Sequence, residues 1–165
     1  MTQIFYNKSN LNYKEVIMSY REKENLINIF SGIIITAIFG WIAYQRHISG
    51  VWDLEKDYAQ WGIALLYFMG ISIAARIGIY IVFHIINAIA TKEEDIPKED
   101  ERDKLVKLKA TRNAYYTFSF GMLGGIVFLA IGMPVYSIFI TFIGAGLLTE
   151  IMENVSQIYF YRKGV

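Results

Sequence analysis

The stretch from residue 113 to 149 constrains this chain most, because its 37 residues include no Asp, Glu, Lys or Arg. As one helix it would extend about 55 Å, nearly twice the ~30 Å hydrocarbon core of a bilayer. Gly132-Met133-Pro134 lies at its midpoint, and glycine followed by proline is typical of a turn between two helices. We therefore predict a helical hairpin, with spans at 114–131 and 134–153.

Two earlier stretches are also long enough to cross a bilayer. Residues 26–44 carry no charge, and residues 61–90 carry a single one, Arg76. With 55% hydrophobic and 19% charged residues, the chain lies outside the usual composition of soluble domains. We predict an all-α, polytopic four-helix membrane bundle that forms one domain over residues 1–165. The remaining segments are an N-terminal one at 1–25, a charged one at 91–113 and a tail at 154–165.

The distribution of basic residues predicts the orientation. Thirteen of the sixteen Lys and Arg residues fall in the N-terminal segment, in residues 92–112 and in the tail. The positive-inside rule places these segments, and hence both termini, in the cytoplasm. The N-terminus lacks the pattern of a cleaved signal peptide, so the first span is expected to be retained in a multi-pass protein of the cytoplasmic (inner) membrane.

The N-terminal segment contains a short amphipathic pattern. Tyr13, Val16, Ile17 and Tyr20 recur at helical spacing, which fits a helix lying in the membrane interface. An N-terminal extension of the first span explains the pattern equally well. Both interpretations stay open at this point.

Residues 92–112 divide into an acidic part and a basic part, with Pro97 between them. Pairs of opposite charge four residues apart, such as Asp100 with Lys104, predict a helix that runs from about Glu99 into the third span. No spacing matches a calcium loop, so we interpret this segment as a solvated helix rather than a metal site. Its charges form a candidate docking surface for a cytosolic protein, made of Asp100, Arg102, Asp103, Lys104, Lys107, Lys109 and Arg112.

Three runs of residues in the C-terminal half form a recognisable combination. They are Asp100-Glu101-Arg102-Asp103, then Lys109-Ala110-Thr111-Arg112-Asn113-Ala114-Tyr115-Tyr116, and finally Tyr161-Arg162-Lys163-Gly164. In this combination the chain resembles a family of small, functionally uncharacterised prokaryotic membrane proteins. Members of that family are often paired with a small helix-turn-helix regulator, so the resemblance implies a regulatory role.

Arg76 is the only Lys or Arg inside a predicted span, and an arginine at that depth needs a partner or water. Glu150 lies at the same level, since both residues are roughly 22 to 24 Å from the outer boundary at about 1.5 Å per residue. We therefore predict that they pair, although Arg76 could instead extend toward the cytoplasmic headgroups, or the pair could serve a substrate or a proton. The full intramembrane polar cluster is Arg76, Tyr80, His84, Asn87, Glu150, Glu153 and Asn154.

Small residues recur at spacings that allow helices to approach closely. In the second span they are Gly70, Ala74 and Gly78, on the face opposite Arg76. In the third span they are Gly121 and Gly125, and the fourth span adds Gly144 and Gly146. We predict that the latter two groups serve the hairpin, with homo-oligomerisation as the alternative use of such a strip.

Catalytic motifs are missing from the sequence. The chain has no cysteine and two histidines, His47 and His84, which are predicted on opposite sides of the membrane. A net charge of +1 argues against direct nucleic-acid binding, and no motif predicts a cofactor or a metal. We therefore interpret the chain as a non-enzymatic membrane component that regulates or signals through a cytosolic partner. The alternative is an oligomeric transporter or channel for a small solute or ion that uses Arg76 and Glu150.

Overall fold

The computed structural model describes residues 19–91 and 99–164, and all regular secondary structure in this part of the chain is α-helical. Its four helices are α1 (Tyr20–Ile48), α2 (Tyr58–Thr91), α3 (Glu101–Ala130) and α4 (Tyr136–Lys163). The predicted all-α class is therefore confirmed. Each helix is longer than the charge-free stretch that predicted it, because the helices continue into their charged flanks.

Three of these helices are long and apolar enough to cross a membrane: α1, residues 58–89 of α2, and α4. The third helix is less apolar because its first three turns carry the basic and acidic residues of the charged segment. That helix is nevertheless continuous from Glu101 to Ala130, as the sequence predicted.

Side-chain caps fix where two of the helices begin. Ser19 caps α1 by accepting from the backbone of Glu22, whose carboxylate accepts in return from the Ser19 backbone. Asp100 and Asp103 form the same reciprocal arrangement at the start of α3. These reciprocal arrangements are capping boxes, and they satisfy backbone N–H donors that have no partner within the first turn of a helix. Tyr20 is thus the first residue of α1, while Tyr13, Val16 and Ile17 lie outside the described residues.

The helices are arranged in the order α3, α4, α1, α2, so that the two central helices are α4 and α1. The most extensive contact is the hairpin of α3 with α4, as predicted. Gly121 lies directly against Ala145, and Gly125 lies against Thr141. Gly144 and Gly146 show no such close approach, because a Cβ atom added at either would meet nothing within 4 Å among the described residues.

The turn of the hairpin is short. Gly132 has a φ of +84°, a conformation that favours glycine. The carbonyl of Pro134 accepts from the amide of Ser137 in a turn, and α4 begins at Tyr136, two residues later than predicted.

Aromatic residues pack the start of α2 against the start of α4. Trp61 is 5% exposed, stacks on Phe139 at a centroid distance of 5.3 Å, and donates its indole N–H to the carbonyl of Leu54 over 2.7 Å. The cluster continues through Trp52 and Tyr136. It anchors the connection between α1 and α2 against the start of α4.

The outward face of α2 has few neighbours within this chain. Gly70 and Gly78 have nothing within 4 Å of an added Cβ atom, and Ala74 is exposed. Among the described residues, no other helix of this chain packs closely on this strip. Packing on a second copy remains a prediction.

Candidate functional site

An ion pair joins α2 to α4 in the half of the bundle that the sequence assigns to the cytoplasmic side. Both terminal nitrogens of Arg76 donate to the Glu150 carboxylate, one to Oε1 over 2.5 Å and the other to Oε2 over 2.6 Å. This two-point geometry matches a planar guanidinium to a carboxylate and is stronger than a single contact. The predicted pairing is thus present, and Arg76 does not extend away from Glu150.

The backbone of α1 packs directly against this pair. A Cβ atom at Gly32 would come within 2.7 Å of the Glu150 carboxylate. Glycine at this position therefore leaves the space that the carboxylate occupies. The pair consequently depends on three helices, α1, α2 and α4.

Hydrogen bonds extend from this pair along the seam between the same helices. The Tyr80 hydroxyl donates to Asn28 over 2.7 Å, and Asn28 donates to Asn154 over 3.2 Å. Asn154 in turn donates to the backbone carbonyl of Glu150 over 2.8 Å. We call these five residues, Arg76, Tyr80, Asn28, Asn154 and Glu150, the polar seam.

Two further members of the predicted cluster lie on the following turns of α2. The ring Nδ1 of His84 is 2.9 Å from the Tyr20 hydroxyl at the start of α1. Asn87 lies three residues further along α2. The polar face of α2 therefore meets mainly α1, and only Arg76 reaches α4 through the contacts described above.

The prediction is wrong for Glu153. Its carboxylate accepts from the Thr111 hydroxyl of α3 over 3.1 Å, on the side of α4 that faces the hairpin partner. Asn113 and Ser156 form a second bond between α3 and α4, 3.1 Å long. Because α4 packs between two helices, its polar residues divide between them instead of sharing one face.

Several residues of the predicted docking surface instead hold the helix ends together. Asp103 accepts from the Tyr161 hydroxyl over 2.8 Å and lies 3.6 Å from Arg21. Arg102 donates to the Tyr161 carbonyl over 2.9 Å, and Lys109 lies over the ring of Phe160. These residues clamp α3 to α4 and α1, so their availability to a partner is lower than the sequence predicted.

Arg162 and Glu22 add another clamp, with 2.7 Å between Nε and Oε1. The hydrogen bond from Arg162 holds the pKa of the Glu22 carboxyl below its ordinary value. A lowered carboxyl pKa stabilises the fold above the ordinary value, and this contribution is lost as the pH falls through the lowered value. The clamp between α1 and α4 is thus retained at neutral pH.

The outward face of α3 is still exposed. Val106 and Ala110 are fully buried on its inner side, which turns Leu105 and Leu108 outward with exposures of 53% and 69%. Three cations, Lys104, Lys107 and Arg112, are also exposed on this part of the helix. Lys104 pairs with Glu101 over 2.8 Å, and Lys107 lies 3.7 Å from Glu99. We call Leu105, Leu108, Lys104, Lys107 and Arg112 the α3 face.

Cavities lie on both sides of the Arg76–Glu150 pair. Toward the aromatic end, a groove of about 260 Å³ between α1, α2 and α4 is lined by Phe68, Ser72 and the pair itself. Toward the other end, a polar cavity of about 170 Å³ is lined by Tyr80, Asn28 and residues of all four helices. The pair therefore separates two spaces along the same seam.

Sequence reasoning missed the contribution of α1 to this site. Asn25 and Asn28 contribute to the polar cavity, and Ser31 and Gly32 lie one turn further along the same helix. Their spacing of three, four and seven residues marks one helical face. A search for neutral polar and small residues at this spacing, beside the search for charges, could have found it.

Comparison with family models, with curated proteins and with solved structures finds no match to this chain. The fold and the geometry of the seam define its class as an all-helical protein with three helices apolar enough to cross a membrane.

Proposed function

We propose that this chain is a four-span protein of the cytoplasmic membrane of a prokaryote, with both termini in the cytoplasm, and that it regulates or signals by docking a cytosolic protein on the α3 face. The charge-free part of α3 supplies the fourth span in this proposal. Support comes from the pairing of α3 with α4 along both helices and from the basic residues at the proposed inner side. The proposed role is non-enzymatic.

Cysteine labelling tests the topology, and the natural chain offers a clean background because it contains no cysteine. Ser49 and Lys163 are both exposed, at opposite ends of the bundle. We expect Ser49→Cys to react with a membrane-impermeant maleimide in intact cells, and Lys163→Cys to react only after the membrane is permeabilised. Labelling of Lys163→Cys in intact cells would reverse the proposed orientation.

The exposure of Leu105 and Leu108 among cations is the observation that carries the docking proposal. At the start of α3 these leucines lie beyond the charge-free part that we assign to the bilayer, so their apolar surface faces the cytosol. An amphipathic helix with acidic flanks fits this face, since its apolar side would cover the leucines and its carboxylates would pair with the cations. The polar seam is a weaker candidate for partner binding because Arg76 and Glu150 satisfy each other.

Photo-cross-linking tests the docking proposal. Leu108 and Leu66 are a matched pair, 69% and 70% exposed, on α3 and on the apolar part of α2. With a photoreactive residue at position 108 we expect one discrete adduct, containing a cytosolic protein with an acidic amphipathic helix, and at position 66 we expect no such adduct.

Charge reversal supplies the control for that experiment. Lys104→Glu with Arg112→Glu should abolish the adduct at position 108, whereas Lys56→Glu, the same change in the connection between α1 and α2, should preserve it. An adduct that survives reversal of the α3 face, or the absence of any adduct at position 108, contradicts the docking proposal.

The second candidate function is conduction of a small solute or ion by an oligomer. The two cavities that the Arg76–Glu150 pair separates favour it, because the pair would act as the barrier between them. The open strip of Gly70, Ala74 and Gly78 supplies a surface on which a second copy could pack.

Flux measurements in reconstituted vesicles test conduction. If this candidate holds, K⁺ or methylammonium flux is present in the natural protein, is abolished in Glu150→Gln, and is retained in Glu153→Gln, whose carboxylate contacts Thr111 instead. Gel filtration checks that each variant remains folded. Absence of flux in the natural protein argues against conduction and leaves the docking proposal untouched.

A further inference from the structure

The polar cavity of about 170 Å³ lies where the start of α1, the start of α3 and the end of α4 meet beside α2. Its wall carries both signs of charge. Arg21 and Lys107 contribute cations, and Glu24, Glu99 and Asp103 contribute carboxylates. The docking proposal uses only Lys107 of this wall, and the conduction candidate uses the cavity only as a space beside the Arg76–Glu150 pair.

The ion pairs across the cavity are loose. Arg21 is 3.6 Å from Asp103, and Lys107 is 3.7 Å from Glu99. Both separations exceed the range of roughly 2.7 to 3.2 Å that ordinary N–H···O hydrogen bonds show. Arg21 also pairs with Glu24 on its own helix over 3.3 Å, and Asp103 accepts from the Tyr161 hydroxyl. Lys107 and Glu99 therefore keep hydrogen-bonding capacity for a molecule placed between them.

Asn25 is the strongest indication that something occupies this space. Its side chain lines the cavity and the residue is only 4% exposed, yet its Nδ2 has no hydrogen-bond partner among the described residues. A buried donor without an acceptor is costly and rare in folded proteins. An acceptor oxygen in the cavity would satisfy it.

The chemistry of the wall identifies the class of ligand. An anion alone would satisfy Asn25 but would add to three carboxylates that face only two cations. A cation alone would leave the Asn25 donor without an acceptor. A zwitterion meets both demands, with its carboxylate near Asn25 and Arg21 and its ammonium group near Glu24 or Asp103.

The volume limits the size of such a molecule. At roughly 30 Å³ for each water, the cavity has room for about six waters, or for one solute with about that number of non-hydrogen atoms. Alanine meets this limit. We propose that the cavity is a binding site for a small zwitterion, of the size and charge of a short α-amino acid such as alanine.

Binding of radiolabelled alanine to the full chain in lipid nanodiscs tests this inference, with no need for the docking partner. We expect saturable binding that unlabelled alanine displaces, and that acetate or methylammonium, each carrying one of the two charges, displaces at least about tenfold less well. Lack of saturable binding, or equal displacement by acetate or by methylammonium alone, overturns the proposal.

Asn25→Leu is the decisive variant because leucine has a similar size and no donor. We expect alanine binding to weaken by about tenfold or more, the usual effect of losing a hydrogen bond to a charged group. Asn113→Ala is the matched control, since it removes an amide that bonds Ser156 away from the cavity, and it should leave alanine affinity within about twofold.

Thermal unfolding separates a binding role of Asn25 from a structural one. Removing an unpartnered buried donor should leave the stability of the alanine-free protein unchanged or higher. If Asn25→Leu binds alanine as tightly as the natural protein, the proposal is wrong. If Asn25→Leu does not fold, Asn25→Ala is measured instead, and the same affinity criterion applies.

Discussion

Arg76→Met and Glu150→Leu each destabilise the folded protein strongly when introduced alone, and the double variant recovers most of the loss. Each single change leaves one charge without its partner at a level where the seam is closed by α1, α2 and α4. The two side chains are 32% and 21% exposed, so each single change should cost no more than the about 3–5 kcal/mol typical of a fully buried pair, whereas replacement of both by apolar residues is often neutral. Denaturation by SDS in mixed micelles, followed by circular dichroism, measures these differences.

Two further variants make this experiment more specific. Glu153→Leu is the matched control on α4 and should cost less than either single change, because its partner Thr111 is neutral and the bond is exposed. The exchanged pair, Arg76→Glu with Glu150→Arg, should recover less than the apolar pair, since Gly32 leaves room for a carboxylate and not for a guanidinium. A double apolar variant no more stable than the worse single variant would contradict a pairing role.

The helices could be predicted from the sequence because the free energy of burying a charge in a bilayer is large. Residues 113–149 contain no charge, which indicated two spans, and Gly132 and Pro134 indicated the turn between them. The level of Arg76 and Glu150 followed from a fixed rise per residue. These inferences depend on one-dimensional spacing along the chain, so they did not require knowledge of which helices are neighbours.

The arrangement of the helices could not be predicted in the same way. Charge patterns do not specify that α4 has α3 on one side and α1, with Arg76 of α2 reaching past it, on the other, and this arrangement gives Glu150 and Glu153 different partners. The same arrangement explains why the strip at Gly70 and Gly78 is open, since α2 lies at the edge of the row. Which helices pack against each other depends on side-chain packing, and the same pattern of charged and apolar residues is compatible with more than one arrangement.

The neutral amides of α1 were missed for a related reason. Asn25 and Asn28 carry no charge, so a search for ionised residues in the spans passed over them. Asn28 nevertheless connects Tyr80 to α4, and both residues line the polar cavity. In a seam shared by three helices, hydrogen-bonding amides contribute as much to the geometry as the ion pair does.

Gly121→Ala and Gly124→Ala should have opposite effects, although the two glycines are only three residues apart on α3. A Cβ atom at Gly121 would lie 2.5 Å from the Cβ of Ala145 and 3.3 Å from its Cα, so the two helices must separate. Overpacking of this kind typically costs about 1–3 kcal/mol. Gly124 has nothing within 4 Å, and there alanine should add up to about 1 kcal/mol through its higher helix propensity.

A compensating change at Ala145 shows whether the effect arises from this contact. Ala145→Gly restores the space, so Gly121→Ala with Ala145→Gly should be more stable than Gly121→Ala alone, and the interaction energy of the double-mutant cycle should be favourable. The same SDS titration measures all four proteins of the cycle. Equal losses for Gly121→Ala and Gly124→Ala, or a cycle with no interaction energy, would mean that α3 and α4 do not approach most closely at Gly121.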